Sequence, residues 1–279
     1  MLLTTYNQPD LLERSLLGYM RQDCSDFELL IADDGSGPET AALIARFRAR
    51  SPVPLHHVWQ LDSGFRKARA VNLAALRSRA DYLIFSDGDC IPSSWFVSEH
   101  LRAARAGQYV VGGHVRLSRE QTRALNAQDI EQGRFEKLCS LPQRLELLWT
   151  HAKSLGYIAA GKRRKPKFYG LNFSVDRASF ERVNGLDMTF ENCGREDSDL
   201  RNRMQMAGVR ARSLWSRPGV FHQHHPAHVT RLGWAEAPHY YNRRYLRADA
   251  AQGLRELRAE QSTEEKSQGC GELSPISST

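Results

Sequence analysis

Three times within the first ninety residues an apolar run of strand length breaks off into a polar cluster. "MLLTTY" runs into Asn7-Gln8-Pro9, "FELLIA" into Asp33-Asp34-Gly35-Ser36, and "YLIF" into Ser86-Asp87-Gly88-Asp89. Segments with apolar residues at helical spacing separate them: "DLLERSLLGYMRQ", with Asp10 placed as an N-cap, a helix opened by Pro38 and running to about Arg50, and "RKARAVNLAALRSRA". "PLHHVWQ" supplies a further strand, and Pro92-Ser93 is expected to open a helix to about Ala106. Strands alternating with helices of this length imply βαβ units and a mostly parallel α/β sheet. Such sheets bind ligands outside the carboxyl ends of their strands. All three polar clusters therefore converge on one sheet edge.

The second half follows a different pattern. Residues 108–117, "QYVVGGHVRL", read as a strand, whereas 118–166 are mixed, partly helical and charged. "KFYGLNFSVDRASFERVNGLD" predicts a strand, a short helix and a turn. "REDSDLRNRMQMAG" predicts a helix closed by Gly208, and "RARSLWS" a strand leading into "GVFHQHHPAH". Beyond Gly253 the composition turns to Glu, Gln, Ser and Lys, and residues 259–279 are expected to form a disordered tail. No internal repeat is present.

The 279 residues are 41% hydrophobic and 25% charged, the balance of a globular chain large enough to bury a core. No run approaches the roughly 18 apolar residues that span a bilayer, and the N-terminus lacks a signal-peptide pattern. Cys24, Cys90, Cys139, Cys193 and Cys270 are scattered without a CxxC pair, which indicates neither a zinc ribbon nor a disulfide framework, and a reducing cytoplasm is the simplest setting. The net charge of +7 suits an anionic partner: nucleic acid, an acidic membrane or a phosphorylated substrate. Its densest run, Lys162-Arg163-Arg164-Lys165-Pro166-Lys167, reads either as a solvated loop or as a docking site for acidic lipid or an anionic acceptor.

Asp87 and Asp89 stand two apart at a strand end, so on an extended backbone both carboxylates face one side, and Gly88 lets the backbone approach a ligand. Oxygen donors at such a loop suit Mg²⁺ or Mn²⁺ shared with substrate phosphates. An ordinary acidic turn is the competing reading. The Asp33-Asp34 turn can accept hydrogen bonds from a base or ribose, or be a plain turn. "GREDSDL" puts Glu196, Asp197 and Asp199 at a helix start, where the dipole favours acids on structural grounds alone. His222, His224, His225 and His228 cluster after a strand, which suggests a metal ligand or phosphate contact.

Taken together, "TTYNQPDLLERSL", "FELLIADDGS", "GFRKARAVNLA", "FSDGDCIP" and "GREDSDL" resemble, in order and approximate spacing, the family 2 glycosyltransferases of the GT-A fold. "GLNFSVDRASFERVNGLDMTFENCGREDSDL" is similar to the galactosyltransferase-type acceptor segment of chondroitin-polymerase-like enzymes. The resemblance spans residues 2 to 226. It implies a Rossmann-like, mostly parallel sheet flanked by helices, with residues 1–116 binding the nucleotide-sugar, 117–258 forming an acceptor-binding half of the same domain, and a metal-dependent inverting transfer of a hexose or N-acetylhexosamine. By that likeness Thr5, Tyr6, Asn7, Asp33 and Asp34 hold the nucleotide, most often uridine. Arg69 and Asn72 match the family's "ARN" element near the phosphates, with two inserted residues between them. Asp89 is the stronger metal-ligand candidate, Asp87 lies nearer the ribose, and His222, with His225 second, matches the downstream metal-binding histidine. Asp197 takes the role of general base and Glu196 that of acceptor binder, although Arg195 replaces the usual small or polar residue. The implied cofactor is Mn²⁺ or Mg²⁺. The implied partners are a UDP-sugar and a saccharide or lipid-linked acceptor of polysaccharide or lipopolysaccharide synthesis, met by a cytoplasmic enzyme on the inner face of an anionic membrane.

Other classes fit less well. A nucleotidyltransferase would carry a Gly-rich phosphate loop, and "TTYNQPD" has no glycine. A DxD-type phosphatase would have its acids after the first strand followed by Thr, where this chain has Ile91. Nucleic-acid binding would call for interleaved basic and aromatic residues. A non-catalytic nucleotide- or sugar-binding module shares the fold but has no use for both acid clusters. Because Met1 precedes Thr4 by only three residues, either the chain begins upstream or the first strand supports the nucleotide edge thinly.

Overall fold

The alternation in the first half closes into the parallel part of one eight-stranded sheet, with strand order β3-β2-β1-β4-β7-β6-β8-β5. The computed structural model describes residues 1–191, 195–226 and 247–269. β1 (Leu2–Thr5), β2 (Leu29–Asp33), β3 (Leu55–Trp59) and β4 (Tyr82–Asp87) run parallel, joined by α1 (Pro9–Tyr19), α2 (Pro38–Arg50) and α3 (Lys67–Arg77). The apolar side chains of β1 and β2 are buried, as expected for strands enclosed between helices. β1 pairs along its length with β2 and with β4, so its shortness leaves that edge well supported.

The second half extends the sheet with three antiparallel pairings and one parallel pairing. β5 (Cys90–Pro92), α4 (Phe96–Ala103) and β6 (Gln108–Arg116) are followed by α5 (Arg119–Ala124), α6 (Ala127–Glu131), a 3₁₀ turn (Arg134–Leu138) and α7 (Leu141–Ala159). β7 (Phe173–Asp176) lies antiparallel between β4 and β6, and leads into α8 (Arg177–Arg182). α9 (Glu196–Met206) and β8 (Arg210–His222) follow, then α10 (Leu254–Gly269). α5, α6 and α7 each open with a reciprocal capping box, Ser118/Gln121, Asn126/Asp129 and Ser140/Gln143.

Local expectations needed correction at three places. Asp10 is not the cap of α1: the helix begins at Pro9, which fits the first helical position, and Asp10 sits inside the first turn. Pro92 does not start a helix. It ends the edge strand β5, where a residue without an N–H is tolerated, and α4 begins four residues later. The segment from residue 259, expected to be disordered, is helical as far as Gly269. α10 is anchored by buried Leu254 and Leu257, by Glu256 accepting from the Gly253 N–H and from Asn184 Nδ2, and by the 3.0 Å Arg69–Glu260 pair. Its polar composition is that of a solvated helix face pinned at one end.

α3 also braces the second half. Asn72 has no exposed surface: its Nδ2 donates to the Leu186 carbonyl (2.7 Å) and its Oδ1 accepts the Leu186 N–H (2.9 Å). Replacing it with Ala strands both buried backbone groups. Asn72→Ala is expected to destabilise the fold by about 2–3 kcal/mol in urea unfolding while leaving nucleotide affinity intact.

Candidate active site

The loops after β1, β2 and β3 interlock at the carboxyl edge of the sheet. Asn7, in the left-handed region at φ 47°, accepts the Gly37 N–H on Oδ1 (2.9 Å), and its own N–H donates to Ser36 Oγ (2.9 Å). Trp59 Nε1 donates to the Ser36 carbonyl (3.0 Å). Asp34 accepts from the Arg66 N–H (2.7 Å) and from Gln60 Nε2 (2.5 Å), and burial, the largest influence, raises its pKa. Tyr6 is exposed beside it, its hydroxyl donating to Asp62 Oδ2 (3.0 Å). Thr5 is nearly buried, and its carbonyl accepts the Asp34 N–H (3.1 Å).

Two residues expected at the nucleotide serve the scaffold instead. Asp33 is wholly buried, with Oδ1 accepting the Ser36 N–H (2.8 Å) and Oδ2 lying 2.8 Å from His57 Nε2. Asn72 is the brace described above. Arg69 is partly exposed and bonds Gln60 Oε1 (3.0 Å) as well as Glu260.

Asp87 and Asp89 take different partners. β4 stops at Asp87 and the chain turns through Gly88, whose N–H donates to the Thr4 carbonyl (2.7 Å); a Cβ at Gly88 would lie 2.6 Å from that oxygen. The glycine thus allows close approach to β1. Asp87 Oδ1 accepts from Thr4 Oγ1 (2.7 Å) and pairs with Lys67 Nζ (2.6 Å). Asp89 Oδ2 lies 3.0 Å from His225 Nε2 and 3.5 Å from His222 Nε2. Burial, which alone would raise the Asp89 pKa, is outweighed by the two imidazoles, which lower it.

Asp89, His222 and His225 form a cluster whose ligand atoms lie within 4.8 Å of one another; Asp87 is outside it. His225 Nδ1 is 2.9 Å from the Pro226 carbonyl, so with Nε2 on Asp89 both ring nitrogens act as donors, and the Asp89 bond raises the His225 pKa. One carboxylate with two imidazoles is a donor set that fits a divalent transition ion. The loop is held by Gln223, whose N–H donates to the Asp89 carbonyl (2.9 Å) and whose Nε2 donates to the Leu11 carbonyl (2.9 Å). His224 is exposed, its N–H donating to Thr122 Oγ1 (2.8 Å), and His228 lies outside the described residues.

Glu196 and Asp197 open α9 after Arg195, which is in the left-handed region at φ 85°; none of the three acids in this turn is the N-cap. Asp199 instead pairs with buried Arg203 (2.6 Å). Asp197 Oδ2 accepts the Gly170 N–H (3.1 Å). Glu196 Oε2 is buried with no hydrogen-bond partner among the described residues. Burial pushes the Glu196 pKa up to about 7 against the pull of Lys67, and burial likewise raises that of Asp197.

Lys67 joins the two acid clusters. Its Nζ lies 2.6 Å from Asp87 and 4.0 Å from Glu196 Oε1. Burial would lower its pKa, but Asp87, Glu196 and Asp197 outweigh burial and raise it. Lys67, Thr4 and Gln223 escaped the sequence reading. The one available sign was position: Lys67 lies two residues before Arg69, at the first turn of α3.

Comparison with known proteins identifies the family. The profile of glycosyl transferase family 2 matches residues 1–165, more than half of the chain, and that of the N-terminal domain of galactosyltransferase matches 158–226. Validoxylamine A glucosyltransferase from Streptomyces hygroscopicus subsp. jinggangensis is 27% identical over 245 residues, covering 82% of this chain and 57% of that protein. The uncharacterized glycosyltransferase YfnE of Bacillus subtilis is 31% identical over 103 residues, 37% of this chain and 26% of its own length. The chain therefore spans about half the length of the first of these relatives. Among solved structures, Staphylococcus aureus TarS 1–349 with UDP-GlcNAc aligns with a TM-score of 0.55 at 14% identity, over 81% of this chain and 58% of that one. The Pyrobaculum calidifontis mannosyltransferase with GDP-Man and Mn²⁺ aligns with a TM-score of 0.53 at 20% identity, over 80% and 55%. These structures share the GT-A fold. With the sheet order, the strand-end acids and the profile match over more than half its length, the chain belongs to glycosyl transferase family 2.

Proposed function

We propose that the chain transfers a hexose or N-acetylhexosamine from a UDP-sugar to a hydroxyl of a saccharide or glycolipid acceptor in cell-surface polysaccharide or lipopolysaccharide synthesis, with inversion at the anomeric carbon. The observation that carries this reading is Lys67, whose ammonium lies between Asp87 on the nucleotide side and Glu196 on the acceptor side. The two acid clusters thus share one cation within a few ångströms, and a single displacement needs donor and acceptor held that close.

In this reading residues 1–116 bind the donor and 117–258 the acceptor. Tyr6, Asn7, Thr5 and Asp34 hold the base and ribose, with Asp87 near the ribose and Arg69 nearer the phosphates. Asp89, His222 and His225 would hold Mn²⁺, favoured over Mg²⁺ by the two imidazoles. A divalent ion there supplies positive charge to a diphosphate leaving group. Asp197, fixed by the Gly170 N–H, takes the proton of the acceptor hydroxyl as that oxygen bonds the anomeric carbon, and the bond from that carbon to the diphosphate breaks with its electrons leaving on the nucleotide. Glu196 binds the acceptor. UDP is preferred as the nucleotide because the TarS structures, which share the fold, hold UDP and UDP-GlcNAc. An enzyme of this kind on a lipid-linked acceptor would work at the inner, anionic face of a membrane.

The test is a donor panel of UDP-glucose, UDP-galactose, their N-acetylated counterparts and GDP-mannose, each incubated with Mn²⁺ and saccharide acceptors, with nucleotide release as the readout. Release of UDP from one donor, raised by an acceptor and giving a product of inverted configuration by NMR, supports the reading. Silence from every donor by a protein that still binds UDP would move the non-catalytic binding module to the front.

A further inference from the structure

We propose that the outward face of α7, together with the basic run that follows it, docks on an anionic lipid surface. Leu141, Leu145, Leu148, Trp149 and Leu155 are each at least half exposed, while Leu147 and Ser154 are the residues the helix buries. The remaining large exposed apolar residues of the described surface, Tyr6, Trp59, Leu61 and Met206, belong to other elements. At 100° per residue, Leu141, Leu145, Leu148, Ala152, Leu155 and Ala159 fall on one stripe, with Trp149 and Gly156 at its edge. No charged residue interrupts it. Such a stripe belongs against a core, yet the core lies on the opposite side of the helix.

The charges beside the stripe identify its occupant. Lys153 Nζ lies 5.6 Å from the centre of the Trp149 ring, and Lys162 and Lys165 lie 5.4 and 5.6 Å from that of Tyr157. Five of the six residues 162–167 are basic. Aromatic rings flanked by lysines beside an apolar face are the composition of an interfacial helix, held by apolar insertion and by attraction to acidic headgroups. Leu148 also borders a cavity of about 340 Å³ with Trp95, Leu147 and Cys139, into which the apolar surface continues, and Arg144 and Arg217 are among its polar lining residues.

A second copy of the chain is the competing occupant, since the stripe has the 3.5-residue spacing of a coiled-coil seam. The positions flanking that seam are Pro142, Arg144, Trp149, His151, Gly156 and Ile158. None is acidic, so a self-paired helix would find no charge complement for Arg144. Among the described residues no helix is long and apolar enough to cross a membrane, so contact through α7 would be peripheral. The basic run leads within three residues to Gly170, whose N–H holds Asp197, so docking would bring lipid close to the acceptor side; that consequence rests on the transferase reading, whereas the docking itself does not.

The experiment is flotation of the full chain with phosphatidylcholine vesicles, with and without phosphatidylglycerol, at low and high salt. UDP calorimetry on each variant reports separately on the donor site. The wild type is expected to float with the phosphatidylglycerol vesicles alone and to be released by salt. Leu145→Ser, Leu148→Ser and Trp149→Ser combined should weaken partitioning at least about tenfold. Lys162→Gln, Arg163→Gln and Lys165→Gln combined should weaken it by roughly 10²-fold. Because all six side chains lie at or near the surface, UDP binding should survive in both variants. The proposal is overturned if the wild type ignores anionic vesicles at low salt, if it forms a dimer that Leu148→Glu splits, or if the apolar variant floats as well as the wild type.

Discussion

Asp197→Asn is expected to slow sugar transfer by about 10²–10⁴-fold while leaving UDP affinity unchanged. Asparagine keeps the shape of the side chain and can still accept the Gly170 N–H through its Oδ1, so the loop at residue 170 stays in place. It loses only the capacity to take a proton from the acceptor hydroxyl. The pH dependence follows from the raised pKa values of Glu196 and Asp197. Both carboxylates bind protons more tightly than free ones, and transfer needs the base ionised. Activity therefore falls as pH drops through the raised values, giving an acid limb in kcat/KM at higher pH than a free carboxylate would give. Glu196→Gln removes a neighbouring negative charge and should move that limb to lower pH. An Asp197→Asn variant of near wild-type rate would assign the base elsewhere.

The second large effect is expected at Lys67. Lys67→Met fills the same space but leaves Asp87, Glu196 and Asp197 facing one another without a cation. Breaking a buried pair typically costs 3–5 kcal/mol, and because Lys67 is about a fifth exposed, a loss of about 3 kcal/mol at pH 8 is expected. The sign of its pH dependence is fixed. In the wild type the Lys67 pKa is raised, so its contribution is fully present below the ordinary lysine value of 10.5 and is lost only as pH rises through the higher folded value. Without it the folded carboxylates take up protons more readily than the unfolded ones, so the deficit should shrink as pH falls from 8 to 5. Urea unfolding at the two pH values measures this, and an equal deficit at both would mean that Lys67 acts by packing alone.

What was legible in the sequence depended on how local the cause was. The parallel half of the sheet follows from apolar runs closed by Asn7, Asp34 and Asp87, because period and turn chemistry are local and the location of ligands in α/β sheets is a rule of topology. The separate partnering of Asp87 and Asp89 was not legible. It depends on Gly88 docking against Thr4, a contact between residues 84 apart in the chain. Lys67 looked like one more basic residue in "GFRKARA", and its role exists only once α9 is folded against α3. Asn72 matched a nucleotide-site motif, but its partner is the backbone of Leu186. α10 was concealed by its polar composition, since the two leucines that bury it are outnumbered by charged residues.

The most direct test of the whole reading is calorimetric titration of UDP into the wild type and into Asp89→Ala, with and without Mn²⁺. If Asp89, His222 and His225 form a metal site beside the nucleotide, UDP binds the wild type tightly only when Mn²⁺ is present, and Asp89→Ala loses the metal-dependent part of that affinity. UDP binding that is indifferent to both Mn²⁺ and the substitution would contradict it.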